Sequence, residues 1–351
     1  MLRVEKKWNP DPSYMLQQKK IDETIRSTLV DWLIQIHYNF KLWPETLFLT
    51  VNVIDRYCSL HEISKKEVQL VGIAALLMIT KYEEIYPPTL KDFIYITGDN
   101  YTSEQILEME WKILYALDFD ISQCTSYRFL ERFSKLSKID NVTFFLSQYM
   151  LELGLLDSKM SQFPQSLQAI AAIYTAKKYM LHSERSTHKS FAEHSHQQSS
   201  SLILSDLNVP QYQTEQVKSC AKCFNQLAKL IQRSKLQNIV KKFKTAKFFE
   251  VARIIVNHGQ HQTSTSDKRH QSFQSLPSNG KTARETKSIV TATGTVSSSN
   301  TKNSGGESRQ KESSSKQRHI SMPAASRGSR ISGNTRDNSI SMGATPNPSH
   351  P

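Results

Sequence analysis

The run from Val68 to Ile79 is the most apolar stretch of the chain, and it constrains the fold more than any other feature. A helix that is apolar on all sides has to be buried among others. Gly72 and the neighbouring Ala74 and Ala75 are small, so adjacent helices can approach this run closely. Pro87-Pro88 stops the helix, because proline cannot donate a backbone hydrogen bond. The run therefore predicts a central helix surrounded by other helices.

Further helical segments are predicted on both sides of this run. Asp22 precedes apolar residues at i, i+4 and i+8 spacing, which is typical of a helix that buries one face. Pro44 suits a first helical position, where its missing N–H is not needed. Residues 64–67 (SKKE) and 102–105 (TSEQ) have the capping-box pattern of a helix start. With a short segment from Leu90 to Ile96, these signals predict five helices within residues 21–121.

The second half of the chain gives a similar number of helical segments, and no strand-like alternation competes with them. The predicted segments are Tyr127–Leu136, Val142–Leu153, Ser166–Met180 and Thr214–Ile231, with a shorter one near Leu202–Leu207. Residues 181–200 are polar and predict an insertion loop, since their histidines lack zinc-like spacing with cysteines. The sequence thus predicts an all-α fold of two tandem five-helix domains, 21–121 and 122–256, after a short segment, 1–20.

The basic character of the chain belongs mostly to its C-terminal part. Lys and Arg number 45 and Asp and Glu 32, a net charge of +13. Residues 259–351 contain thirteen basic and five acidic residues, which is +8 and leaves +5 for the first 258. Residues 257–351 have too few apolar side chains to offset the entropy of ordering them, so we expect a disordered tail.

Targeting segments and catalytic signatures are missing from the sequence. No run of 18 apolar residues and no secretory signal occurs, which predicts an intracellular protein without a membrane partner. There is no GxGxxG, Walker glycine loop, HExxH or GxSxG, so we expect no catalytic residue and no cofactor. Cys220 and Cys223 form a CxxC inside a helical pattern without a second pair, so we expect buried thiols rather than a metal site. Glu83-Glu84 and His37 lie at predicted helix ends, so we expect ordinary helix-terminal side chains there rather than catalytic groups.

Several segments of the first domain resemble the cyclin box, and specifically the A/B (mitotic) branch of cyclins. They are Ile25–Leu33 (IRSTLVDWL), Glu45–Leu47, Val53–Tyr57, Gln69–Gly72, Lys81–Pro88 (KYEEIYPP) and Asp92–Thr97. The resemblance is strong from Tyr14 to Ile121 and weaker from Ser122 to about Ile254. It implies two tandem cyclin folds.

Two charged residues of the first domain have a role that the resemblance implies. Lys81 follows the most apolar helix and Glu110 lies within another apolar helix; composition alone makes both ordinary surface charges. In cyclins the matching pair grips the mobile helix of a kinase. The surrounding apolar pocket receives an aliphatic kinase side chain and corresponds here to Met78, Tyr82, Leu114, Phe119 and Ile121. Plain core packing is the alternative for these five residues.

The resemblance also implies a second site and a structural ion pair. The family patch that docks Arg-x-Leu-type motifs corresponds to Ile25, Leu29, Trp32 and Gln69, with Gln35 at its polar edge. Thr28 stands where the family often has isoleucine, and Leu29 and Trp32 have core packing as an alternative role. Arg26 and Asp55 resemble a buried ion pair of the family, with a structural rather than a functional role.

The function implied is that of a regulatory subunit, not an enzyme. Such a subunit binds and activates a cyclin-dependent serine/threonine kinase as a heterodimer, in the nucleus or the cytoplasm, and its further partners carry Arg-x-Leu-type motifs. A cyclin-fold transcription or nucleic-acid adaptor is the alternative, which the small charge of the folded part disfavours. A scaffold that occupies a kinase without activating it is a third interpretation.

Regulatory motifs are sparse. Mitotic cyclins usually carry a destruction motif in a long N-terminal segment, whereas about a dozen residues precede the cyclin core here, so timed degradation is in doubt or the chain begins late. Arg26–Leu29 and Arg233–Leu236 fit RxxL. In the tail, Thr345 precedes proline and Ser321 follows a basic residue by three positions, the patterns of phosphorylation sites.

Overall fold

The computed structural model describes residues 5–187 and 212–256. The helices are α1 (Tyr14–Gln17), α2 (Glu23–Asn39), α3 (Pro44–Leu60), α4 (Val68–Glu83), α5 (Leu90–Ile96), α6 (Ser103–Ala116), α7 (Ser126–Leu136), α8 (Asn141–Leu155), α9 (Gln165–Thr187), α10 (Thr214–Leu230) and α11 (Asn238–Phe243). Short 3-10 helices span Glu5–Trp8, Ser158–Gln162, Ile231–Arg233 and Ala246–Phe248. Within the described residues there is no strand, so the all-α prediction is confirmed.

Some predictions fall outside the described residues. They concern the insertion beyond residue 187, the short segment near Leu202–Leu207, the tail 257–351, and the phosphorylation patterns at Ser321 and Thr345.

Helix α4 is the central helix of the first repeat, which comprises α2 to α6. It contacts α2, α3, α5 and α6, as its apolar sequence predicts. A Cβ at Gly72 would lie 2.7 Å from Leu29 Cδ1, so glycine is what allows α2 to approach α4 this closely. Asp22 caps α2 by accepting from the N–H of Ile25, and Pro44 begins α3. The predicted capping box of α6, Thr102 with Gln105, is present.

Two local predictions were wrong. Ser64 and Glu67 do not form a capping box, because the Ser64 hydroxyl donates to the Glu67 carboxylate (2.6 Å) instead of accepting a backbone N–H. Residues 64–67 form a turn, and α4 begins only at Val68. The second error concerns α9, which continues to Thr187, seven residues into the predicted insertion loop. No Gly or Pro occurs between Leu181 and Thr187, so nothing in that stretch breaks the helix.

The second repeat comprises α7 to α11 and is built around α9, which contacts α7, α8 and α10. Helix α11 packs on α2 of the first repeat, where the Asn238 amide donates to the Asp31 carboxylate (2.9 Å). Lys242 of the same helix donates to both oxygens of Glu152 at 2.6 and 2.7 Å, and both side chains are buried. Helix α11 therefore contacts both repeats.

Arg26 and Asp55 form an ion pair at the junction of the repeats. Two parallel hydrogen bonds of 2.8 and 2.7 Å join the guanidinium to the carboxylate, and Tyr14 donates to the same carboxylate (2.6 Å). The guanidinium also donates to the carbonyl of Leu155 in the second repeat (2.9 Å). Both charges are buried, so losing one partner strands the other at a cost of about 3–5 kcal/mol.

The polar residues and cysteines for which the sequence predicts no catalytic or metal-binding role have packing or capping roles in the structure. Glu84 accepts from the N–H of Trp43 (2.8 Å), next to the start of α3. His37 is buried, with its Nε2 within 2.9 Å of the Trp43 carbonyl. Cys220 is buried and Cys223 half-buried, and both are free thiols. Across residues 5–187 and 212–256, no cluster of side chains could hold a metal ion, and no helix is long and apolar enough to span a membrane.

Candidate partner-binding site

Lys81 and Glu110 lie together on the first repeat, although 29 residues separate them in sequence. Lys81 is in the last turn of α4 and Glu110 is in the middle of α6, and these two helices pack against each other. The ammonium donates to both carboxylate oxygens at 2.8 Å. The Lys81 side chain is 47% exposed and that of Glu110 is 11% exposed, so solvent and partners can reach the pair from one side.

The five apolar residues predicted around this pair differ in burial. Met78 belongs to the core, with 4% exposure. Leu114 and Ile121 are half-buried. Tyr82 and Phe119 are about half exposed, and the Tyr82 hydroxyl is hydrogen-bonded to the Ser122 hydroxyl. Core packing therefore accounts for Met78, whereas Tyr82 and Phe119 present apolar surface to solvent.

Sequence reasoning missed the aromatic side chains next to Phe119. Trp111 and Tyr115 are 57% and 72% exposed, and their rings lie 6.2 and 5.7 Å from that of Phe119. The signal was the i, i+4, i+8 spacing of three aromatics along and just beyond α6. Exposed Trp and Tyr are the residues most often found at the energetic centre of protein interfaces.

The predicted docking residues line a groove between α2 and α4 of about 390 Å³. Ile25, Leu29, Trp32 and Gln69 lie on its walls, together with Thr24, Thr28, Lys65 and Val68. Leu29 is buried, so it serves the core as well as the groove. Gln35 is exposed but lies outside the groove. Four of the five predicted residues thus share one surface, and Thr28 contributes to it.

Both halves of the described fold match known family models. Residues 1–122 match the cyclin N-terminal domain, and residues 124–257 match the cyclin C-terminal domain. The chain belongs to the cyclin family. The predicted resemblance is thereby confirmed for both repeats, including the more divergent second one.

The curated relatives of this cyclin carry B-type and mitotic names. Cyclin-B1-3 of Arabidopsis thaliana is 47% identical over 164 residues, which is 47% of this chain and 40% of the relative. The G2/mitotic-specific cyclin cdc13 of Schizosaccharomyces pombe is 43% identical over 171 residues, 49% of this chain and 36% of the relative. This chain thus spans half or less of either relative.

A solved structure supports the fold of this cyclin. The X-ray structure of a viral cyclin from herpesvirus saimiri aligns with a TM-score of 0.51 and 19% identity. The alignment covers 64% of this chain and 96% of the viral one. At this identity the likeness concerns the helical architecture alone.

A buried carboxylate lies between the two cyclin repeats, beside Tyr82. Glu45 in α3 is 3% exposed, accepts from the Thr125 hydroxyl (2.6 Å) and lies 3.5 Å from Arg128 Nε. Burial raises the pKa of Glu45 to about 7, although Thr125 and Arg128 act in the opposite direction. Glu45, Tyr82 and Arg128 line a groove of about 380 Å³. In the sequence Glu45 stands out only as part of the segment Glu45–Leu47 that resembles cyclins, and no local pattern predicts its burial.

Proposed function

We propose that this cyclin is a regulatory subunit that binds and activates a cyclin-dependent serine/threonine kinase in mitotic cell-cycle control. The observation that carries the proposal is the half-exposed Lys81–Glu110 pair beside the exposed rings of Tyr82 and Phe119. Membership of the cyclin family and the mitotic names of the relatives support it. The cyclin supplies no catalytic group, and the kinase performs the phosphate transfer.

The Lys81–Glu110 pair can change partners when a kinase binds. In the free chain an ion pair exposed on one side contributes at most about 1 kcal/mol. At a desolvated interface, a charge-assisted hydrogen bond to the partner is worth about 1.5–3 kcal/mol. The ammonium can donate to backbone carbonyls of one kinase segment while the carboxylate accepts from its N–H groups. Exchange of partners is thus favourable where a kinase excludes water from the site.

Activation follows from the physics of the kinase. A protein kinase transfers phosphate only when the Lys–Glu ion pair between its β3 strand and αC helix is formed and its activation loop is correctly placed. A rigid helical partner that binds only the inward position of αC shifts the kinase population towards that state. The size of the shift is limited by the difference in affinity for the two states.

The test is a kinase pull-down from lysate with the full chain, followed by a phosphorylation assay on histone. The Lys81→Ala/Glu110→Ala variant should lose both recovery and activation of the kinase. The matched control is Lys112→Ala/Glu108→Ala, which removes an exposed ion pair from the same helix, α6, and should behave as wild type. Equal activation by the wild type and the Lys81→Ala/Glu110→Ala variant would show that the pair does not grip the kinase.

The groove between α2 and α4 supports a second role, the docking of substrates or inhibitors with Arg-x-Leu-type motifs. Its walls combine apolar Ile25, Leu29 and Trp32 with the Gln69 amide, which suits a leucine side chain next to a polar backbone. Trp32→Ala should weaken binding of such a peptide in a fluorescence polarisation assay. Trp43→Ala, which removes an exposed Trp elsewhere on the first repeat, is the control. Equal binding by a peptide without Arg and Leu would contradict the assignment.

The other interpretations are outcomes of the same pull-down. Recovery of a kinase without activation by the wild type would indicate a scaffold. Retention on DNA at physiological salt with no kinase recovered would favour a nucleic-acid adaptor. The first 258 residues carry only +5, which gives little of the phosphate neutralisation that such binding needs. We therefore propose action within the cell, in the nucleus or the cytoplasm, through a protein partner.

A further inference from the structure

The turn that follows α6 has an unusual backbone. Asp118 and Phe119 have φ values of 51° and 55°, so two consecutive non-glycine residues adopt the left-handed conformation. L side chains rarely adopt it, and a large aromatic residue is disfavoured there. The turn presents Phe119 and Ile121, two of the residues assigned to the kinase pocket. The backbone N–H groups of residues 118–121 donate to carbonyls of the turn and of the end of α6 at 3.0–3.1 Å, and side-chain contacts at Asp120 add to these bonds.

Asp120 receives three such holding contacts. The indole N–H of Trp8 donates to Asp120 Oδ1 (2.9 Å), and the ammonium of Lys7 lies 2.7 Å from Oδ2. The guanidinium of Arg56 in α3 donates to the backbone carbonyl of Asp120 (2.8 Å). Both carboxylate oxygens and the carbonyl of this one residue are therefore occupied. The contacts with Lys7 and Trp8 lower the pKa of Asp120, so the carboxylate is ionised at neutral pH.

The segment Glu5–Trp8 is itself fixed at both ends. Glu5 is buried and accepts from the backbone N–H and the hydroxyl of Ser166, both at 2.9 Å, at the start of α9 in the second repeat. At the other end, the Asn52 amide of α3 donates to the Trp8 carbonyl (2.9 Å). A short 3-10 helix thus connects the second repeat to the turn of the first repeat. We call this segment the strap.

We propose that Asp120 is a positioning residue, through which the strap holds Phe119 and Ile121 in the pose that receives the kinase. The inference rests on the proposed function, and it assigns to Glu5–Trp8 a role in binding without contact with the kinase. The ring of Phe119 makes T-shaped contacts with those of Trp111 and Tyr115. The strap holds the backbone of the turn through Asp120, so that the Phe119 ring keeps its position when a kinase displaces the solvent around it.

The test compares Asp120→Ala with Asp120→Asn in the full chain. Amide hydrogen exchange of residues 118–122 is measured in the free protein, and the dissociation constant with a purified cyclin-dependent kinase that the wild type activates. Asp120→Ala should accelerate exchange and weaken binding, each about tenfold, since it removes two charge-assisted contacts. Asp120→Asn keeps an acceptor for Trp8 but loses the ion pair, so we expect about a threefold effect. Kinase activity at saturating cyclin should stay at the wild-type level, because only the affinity depends on the turn.

The strap side is tested by Lys7→Ala, with Lys112→Ala as its matched control. Both remove an exposed lysine from an ion pair, but only Lys7 belongs to the strap. Lys7→Ala should raise the dissociation constant about threefold and Lys112→Ala should leave it unchanged. Unaltered exchange in the turn of Asp120→Ala overturns the inference, whatever the kinase data show. Faster exchange with an unaltered dissociation constant also overturns it, whereas a wild type that activates no kinase refutes the proposed function instead.

Discussion

In the described part of each repeat, a lysine binds both oxygens of a glutamate on a neighbouring helix. In the first repeat, Lys81 donates to Glu110 at 2.8 Å. In the second, Lys242 donates to Glu152 at 2.6 and 2.7 Å. The geometry is nearly the same, but the exposure is not: 47% and 11% for the first pair, against 2% and 0% for the second.

Burial decides what each pair can do. Glu152 also accepts from Gln148 (3.0 Å), and the Lys242 ammonium lies 5.2 and 5.7 Å from the ring centres of Phe243 and Phe248. No outside group can replace these partners, so the pair can serve only the fold. The pair of Lys81 and Glu110 is accessible to solvent on one side, so its charged groups can form hydrogen bonds with another protein. Solvent access alone therefore distinguishes the two pairs, and it is what makes Lys81 and Glu110 a candidate binding site.

The largest expected effect concerns the buried pair of Lys242 and Glu152. Glu152→Gln leaves the ammonium of Lys242 buried without a counter-charge, which should lower the free energy of unfolding by about 3–5 kcal/mol. Urea denaturation followed by circular dichroism measures it. Glu215→Gln, which breaks an exposed pair with Lys218, should leave the value unchanged.

The double variant Lys242→Met/Glu152→Leu sharpens the same point. It replaces both charges by apolar side chains of similar size, which in other proteins is neutral or stabilising. We expect recovery of most of the stability lost in Glu152→Gln. Equal losses in the single and double variants would mean that the two charges do more than neutralise each other.

Glu45 is an intermediate case, a buried carboxylate with no cation closer than Arg128 at 3.5 Å. Its folded-state pKa of about 7 lies above the unfolded value near 4.5. Between these pH values the folded state holds a proton that the unfolded state has lost, so stability should fall as pH rises from about 4.5 to about 7. Glu45→Gln should lack this fall and exceed wild type at pH 8 by about 2–3 kcal/mol. Thermal unfolding of both proteins from pH 5 to pH 8 measures the difference, and parallel pH profiles would contradict it.

The helical framework was predictable because its signals are local. Asp22 and Thr102 mark helix starts through hydrogen bonds within three residues, and Pro44 through its missing N–H, and the three helices begin where these signals predict. Ser64 misled because the capping-box pattern specifies residue types but not which way the hydroxyl donates. The prediction ends α9 too early, because a polar composition is compatible with a helix as well as with a loop.

The contacts that distinguish one site from another were less predictable. Lys81 and Glu110 came from resemblance to cyclins, since spacing alone does not pair residues 29 apart. Glu152 stands in an apolar part of α8, and this could have signalled a buried charge, but its partner lies 90 residues away. The link from Trp8 to Asp120 spans 112 residues and depends on how the strap crosses the fold. Pairings at such separations follow from tertiary packing, which no local pattern encodes.

The smallest expected effect on stability concerns the solvent-accessible pair of Lys81 and Glu110. This effect decides whether the two ion pairs differ in role. Glu110→Gln should change the free energy of unfolding by less than about 1 kcal/mol, because water solvates the half-exposed Lys81 ammonium that is left behind. The measurement is urea denaturation beside Glu152→Gln. If Glu110→Gln costs as much as Glu152→Gln, the first pair also belongs to the core. The two side chains could then not bind a kinase, because breaking the ion pair would destabilise the cyclin. A small loss, together with failure of Lys81→Ala/Glu110→Ala to recover a kinase, would show a pair kept for a partner rather than for the fold.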